Sequence, residues 1–154
     1  MMLNRSNDVE LDFDFDKILE KTRENPVFYV QYCYARISSL FRTLKVDINS
    51  EFEIDKNNFN LNEHELNLFR KIIDWPKVIE TASIKLEPHR IPFYLYELAT
   101  LFHSYWSKGN EDANYKFIIN EKIKNKNTLL IIKLVSLTIE NGMKILGVQL
   151  PTKM

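Results

Sequence analysis

Helix-start signals divide this chain into segments of helical length. Asn25-Pro26 is such a start: an Asn side chain accepts hydrogen bonds from the first free amides, and Pro is tolerated at the first helical position because an amide there would have no partner. At about 100° per residue, Val30, Tyr34, Ile37, Phe41 and Leu44 fall in one sector, which predicts a helix to about Leu44 with that stripe inward. Tyr29, Tyr32 and Arg36 share the neighbouring sector, placing two phenols and a guanidinium at the edge of the buried face.

The same logic continues along the chain. The polar stretch from Val46 to Asn60 reads as a loop. Asn62 followed by Glu65 is a capping box opening a helix through Leu66, Phe69 and Ile73. Trp75-Pro76 must break or kink that helix, because Pro removes a donor and disfavours helical geometry in the residue before it; another helix then runs from Pro76 to about Leu86. Glu87-Pro88 starts the next, distorted at Pro92, with Leu95, Leu98, Leu101 and Phe102 inward. It is expected to end near Lys108-Gly109, where Gly supplies the turn. After a polar connection to about Asn127, a last long helix is expected from Thr128 to Asn141, with Asn141-Gly142 as its cap. Ile131, Ile132, Val135 and Ile139 also fit a strand locally, but length and the lack of a partner strand favour helix. Upstream, Asp8–Asp16 alternates acid and apolar residues and suits an extended stretch, with a short helix from Asp16 to Thr22. The fold class expected is all-α, a bundle of about five to six helices. Only three glycines and five prolines in 154 residues argue against a turn-rich β protein.

Composition narrows function by exclusion. At 45% apolar and 27% charged residues the chain suits a folded domain, and no stretch approaches the roughly 18 apolar residues of a membrane helix. The opening has no apolar core of a signal peptide. Cys33 is the single cysteine, so no internal disulfide is possible; a reducing cytoplasm is the expected setting, with inert packing its expected role. Net charge is zero, yet residues 1–25 carry seven acids against four bases and residues 115–154 carry seven lysines against two glutamates. That asymmetry is compatible with a local basic face and equally with a solvated surface. His64, His89 and His103 are scattered, read as a surface, a helix-cap and a packing residue, and His64-Glu65 lacks the second His of a zinc motif. No catalytic residue and no metal site is expected.

Four segments carry a family resemblance. NPVFYVQYCYARISSL (25–40) resembles the opening of the anticodon-binding domain of arginyl-tRNA synthetases (the DALR type), where Asn-Pro leads into Tyr-x-Gln-Tyr-x-x-x-Arg. MMLNRSNDVELDFDFD looks like the connection out of that family's catalytic domain. LEPHRIPFYLYELATLFHSYW (86–106) is similar to its Pro-His-Arg helix, and ENGMKILGVQLPTKM (140–154) to its Asn-Gly-x-x-x-Leu-Gly-Val-x-x-Pro-x-x-Met ending. All four occur in order and cover nearly the whole chain. Two positions depart from the pattern: Tyr34 stands where His is usual, and Thr128 where Arg is usual, so no role is carried over to Thr128.

The resemblance implies a connector over residues 1–24 and an anticodon-binding helical domain over 25–154. It implies tRNA(Arg) and the catalytic domain of the same parent chain as partners, a cytoplasmic setting and a monomer. Arginine–tRNA ligase activity, with its ATP and magnesium, would belong to the parent enzyme. His-Ile-Gly-His-like and Lys-Met-Ser-Lys-Ser-like segments and a Gly-rich phosphate cradle are missing from this sequence, so the fragment itself is expected to hold no cofactor and to charge nothing.

Single-stranded RNA loops are recognised by stacking splayed bases on aromatics or Arg planes. Tyr29, Tyr32 and Arg36 are the first candidates for anticodon contact; without the resemblance they would read as core-edge tyrosines and a solvated Arg. Tyr105 and Trp106 form a second candidate platform. Met154 is a third, because the resemblance implies a terminus folded back toward the anticodon loop, where a thioether can pack on a base. Lys108, Lys122, Lys124 and Lys126 are weaker candidates for the RNA backbone. Arginine codons all have guanine in the middle, so a domain serving every cognate tRNA should read the middle cytosine of the anticodon. The rival reading is a helical protein–protein interaction module using the same Tyr and Trp surface as a hot spot.

Overall fold

The computed structural model describes residues 25–56, 60–119 and 122–154. The extended stretch and short helix expected before residue 25, with the whole 1–24 connector, lie outside the described residues. Helix α1 spans Pro26–Leu44, and the Asn25 side chain accepts from the amides of Val27 and Phe28 (3.1 and 3.3 Å). Helix α2 spans Glu63–Ile73 behind a complete capping box: Asn62 accepts from the Glu65 amide at 3.0 Å, and the Glu65 carboxylate accepts from the Asn62 amide at 2.8 Å. Asp74 separates α2 from α3, Trp75–Ile84, so the Trp-Pro pair starts a new helix in place of kinking the old one.

Helix α4, Arg90–Glu111, is the longest described and packs against α1, α2 and α3. Pro92 falls within its first turn, where a missing amide costs little. Helix α5, Lys126–Ile145, packs against α1, α2 and α4. Ile37 and Phe41 from α1, Leu68 from α2, Leu95, Leu98 and Phe102 from α4, and Ile132, Val135 and Ile139 from α5 close the core. Tyr34 is only half-buried at the margin of that core.

Three expectations are corrected. The connection between α4 and α5 is not featureless: a 3-10 turn at Ala113–Tyr115 leads into an antiparallel hairpin of β1 (Ile118–Ile119) and β2 (Lys122–Ile123), so a small two-stranded sheet is added to the helical bundle. Gly109 does not end α4. It lies inside the helix, and a Cβ there would stand 3.0 Å from the Tyr115 carbonyl oxygen, so Gly is needed for close approach of the following turn. Gly142 likewise sits within α5, where a Cβ would come within 2.7 Å of a Leu95 methyl. The left-handed residue after α5 is Gly147 (φ 68°), five residues later. In each case a glycine demanded by packing carries the same sequence signature as a helix-ending one.

Candidate nucleic-acid interface

Where α1 crosses α4, aromatic and polar residues from both helices line an open cleft of about 530 Å³. Phe28, Tyr29, Tyr32 and Arg36 come from α1; Thr100, His103, Ser104 and Ser107 come from α4. The expectation that both phenols stand at the edge is corrected for Tyr29. Its ring is buried, packed against Tyr96 (5.1 Å between centroids) and His103 (4.5 Å), because the α1 stripe is wider than the apolar spacing alone indicates. Tyr29 therefore forms the floor of the cleft.

Tyr32 and Arg36 remain half-buried. Tyr32 is nearly parallel to Phe28 (6.3 Å, 8°) and stacks beside His103 (5.6 Å, 26°). The Arg36 guanidinium carbon lies 4.3 Å from the Tyr32 ring centre and 5.3 Å from that of Trp106. Cation and rings thus form layers, where the helical sector suggested neighbours side by side, and each cation–π contact favours the layering. Beneath them Cys33 is fully buried; burial pushes its thiol well up, against the opposing pull of Arg36.

Trp106 is half-buried and joins this group through Arg36, while its other contacts are Phe102 (5.9 Å) and Phe117 (5.7 Å). Tyr105 does not join it, and its assignment as a stacking platform is corrected. One residue along α4 turns its side chain toward α2, where it is only 3% exposed. There the Tyr105 hydroxyl donates to Glu65 Oε1 (2.9 Å) and accepts from Asn62 Nδ2 (2.8 Å). Thr128 donates to the same Glu65 oxygen. Burial, reinforced by the Glu65 carboxylate and opposed by the Asn62 hydrogen bond, holds Tyr105 well above the usual phenol range. His64 covers this network as a parallel ring on Tyr105 (5.3 Å, 3°), so it packs and is not a purely surface residue. His89 sits at the N-cap position of α4 but makes no side-chain cap hydrogen bond, against expectation.

The C-terminal tail docks on α1. Gln31 Nε2 donates to the Gln149 carbonyl (2.8 Å), and Arg42 Nη1 to that of Thr152 (3.0 Å). Met154, 52% exposed, follows Thr152 at the Arg42 end of the helix. Lys108 pairs with Glu111 (3.4 Å). Lys122, Lys124 and Lys126 are exposed on the hairpin and at the start of α5, with Lys124 donating to the Asn114 carbonyl.

Reasoning from spacing missed Phe28, Thr100, His103, Ser104 and Ser107. A signal was present: positions 100, 103, 104 and 107 form a polar stripe at helical spacing on α4.

A layered aromatic–guanidinium wall thus stands beside an open cleft on a helical bundle, with the C-terminal tail strapped along the same helix. Residues 30–154 match the DALR anticodon binding domain family, and the chain belongs to it. It is 51% identical over 154 residues to an arginine–tRNA ligase of Pelagibacter ubique, covering 100% of this chain and 27% of that protein. It is 42% identical over 153 residues to that of Roseobacter denitrificans, covering 96% and 26%. A Campylobacter jejuni structure described as an arginyl-tRNA synthetase superposes with a TM-score of 0.81 at 28% identity, covering 99% of this chain and 32% of that one. An arginyl-tRNA synthetase structure from Plasmodium falciparum gives 0.78 at 23% identity, 99% and 25% covered, which speaks to fold alone. The chain thus spans about a quarter of the length of the relatives it matches.

Proposed function

We propose that this chain binds the anticodon loop of tRNA(Arg), as the anticodon-reading part of a class I arginine–tRNA ligase. The observation that carries the proposal is the Tyr32–Arg36 layer, half-open beside a cleft of about 530 Å³. An unstacked base can lie against that layer while the Thr100, Ser104 and Ser107 hydroxyls meet its polar edge, and stacking of this kind is worth about 1–3 kcal/mol per base. Trp106 extends the wall, and Met154 reaches the loop from the Arg42 end of α1. Lys108, Lys122, Lys124 and Lys126 supply only sequence-independent, salt-sensitive attraction.

Aminoacylation, ATP and magnesium belong in this reading to the remainder of a longer ligase working in the cytoplasm. Among the described residues no three His, Cys, Asp or Glu side chains converge where a metal could sit, and no described helix is long and apolar enough to cross a membrane. The catalytic part of the same polypeptide and tRNA(Arg) are the partners, with the chain acting as a monomer.

The test is titration with anticodon stem-loops differing only at the middle base, at two salt concentrations. Replacement of the middle cytosine should weaken binding, and salt should weaken all complexes. Binding indifferent to that base would transfer the face to a protein partner instead.

A further inference from the structure

We infer that His103 is a positioning residue that fixes Arg36 for recognition, an assignment that rests on the RNA reading above. The two imidazole nitrogens face groups of opposite kind. Nδ1 is 3.2 Å from Arg36 Nη1, and a guanidinium has only donors, so Nδ1 must accept. Nε2 is 3.4 Å from the Tyr29 carbonyl oxygen, which can only accept, so Nε2 carries the hydrogen. One state satisfies both: the neutral ring protonated on Nε2. The α1 backbone thus selects the tautomer, and the tautomer selects where the guanidinium sits.

The ring is held for this task. His103 is 7% exposed, with Tyr29 tilted against it at 4.5 Å and Tyr32 stacked at 5.6 Å. Arg36 is then tied at one end by Nδ1 and supported below by Tyr32 at 4.3 Å. An Arg side chain left to itself samples many rotamers, and ordering it on binding costs affinity. Holding it in advance makes the Tyr32–Arg36 layer ready for a base or a phosphate before RNA arrives. His103 touches no RNA in this scheme and acts only through Arg36.

Two measurements test the inference in the full 154-residue chain. Nitrogen-15 spectra of the imidazole near neutral pH should show the Nε2–H tautomer; an Nδ1–H ring or a doubly protonated ring would overturn it. The second is a double-mutant cycle with the cytosine-centred stem-loop. His103→Leu should weaken binding about tenfold, whereas His103→Asn, which keeps an acceptor near the Nδ1 position, should retain most of the affinity. In an Arg36→Ala background, His103→Leu should have almost no further effect. Equal losses with and without Arg36, in variants whose thermal unfolding shows them folded, would make His103 a packing residue and sink the proposal. Wild-type protein blind to the middle base sinks the RNA reading instead, and the tautomer spectrum then still decides whether His103 holds Arg36.

Discussion

Two clusters in this domain use nearly the same residue types and do opposite things. At the α1–α4 crossing, Tyr32, Arg36 and His103 combine a phenol, a charge and an imidazole; between α2, α4 and α5, Tyr105, Glu65 and His64 do the same. In the second cluster the charge is exhausted: Glu65 is 3% exposed and accepts from the Asn62 amide, the Tyr105 hydroxyl and the Thr128 hydroxyl. In the first, Arg36 has one hydrogen bond to His103 and otherwise lies over aromatic faces, leaving donors directed to a cleft. A buried polar group with its partners satisfied specifies a fold, while a half-open one with donors to spare can specify a ligand. Residue type distinguishes neither case; the direction of the side chain does.

The largest effect should come from breaking the closed cluster. Glu65→Ala removes a buried acceptor from two hydroxyls and the reciprocal half of the α2 capping box, and should destabilise the domain by about 3 kcal/mol. Arg36→Ala, by contrast, should change stability by less than about 1 kcal/mol, since a half-exposed cation in weakly bonded layers contributes little. Urea unfolding of the two variants measures both. Comparable losses would mean that the open cluster is also part of the fold's support.

Next in size is the effect on binding. Tyr32→Ala should cost about 1–3 kcal/mol of affinity for a cytosine-centred stem-loop, whereas Tyr105→Phe should leave that affinity unchanged. If Tyr105→Phe weakens binding as much as Tyr32→Ala in folded protein, the separation of the clusters fails. Fluorescence titration of both variants against wild type decides it.

Much of the first cluster was legible before any coordinates. Asn25-Pro26 fixed the phase of α1, and phase alone placed Tyr32 and Arg36 on one edge. The Asn62–Glu65 capping box was equally plain, because both halves are local. Tyr105 was misread for a physical reason: its partners, Glu65 and Asn62, lie 40 and 43 positions away in sequence, and helical phase says nothing of contacts between helices. Gly109 and Gly142 failed in the same way. Their need for Gly comes from the Tyr115 backbone and the Leu95 side chain, neither of which a local turn rule can see. Gly142→Ala should therefore destabilise by about 1–3 kcal/mol through overpacking, checked by the same urea unfolding.

The smallest effect separates the clusters through alkaline pH. Burial raises the Tyr105 phenol above its ordinary value in the folded chain, whereas in the unfolded chain a phenol titrates near pH 10. Below about pH 10 both states hold the proton, and the contribution of the neutral phenol is fully present. Above it, the unfolded chain loses the proton first, so the unfolded state binds fewer protons and stability falls as pH rises toward the folded value. Tyr105→Phe should cost about 1 kcal/mol near neutrality, the worth of one hydrogen bond to Glu65, yet flatten the decline between about pH 10 and 11. A slope unchanged by Tyr105→Phe would mean that water reaches the phenol, and the cluster would then be as open as the one across the bundle.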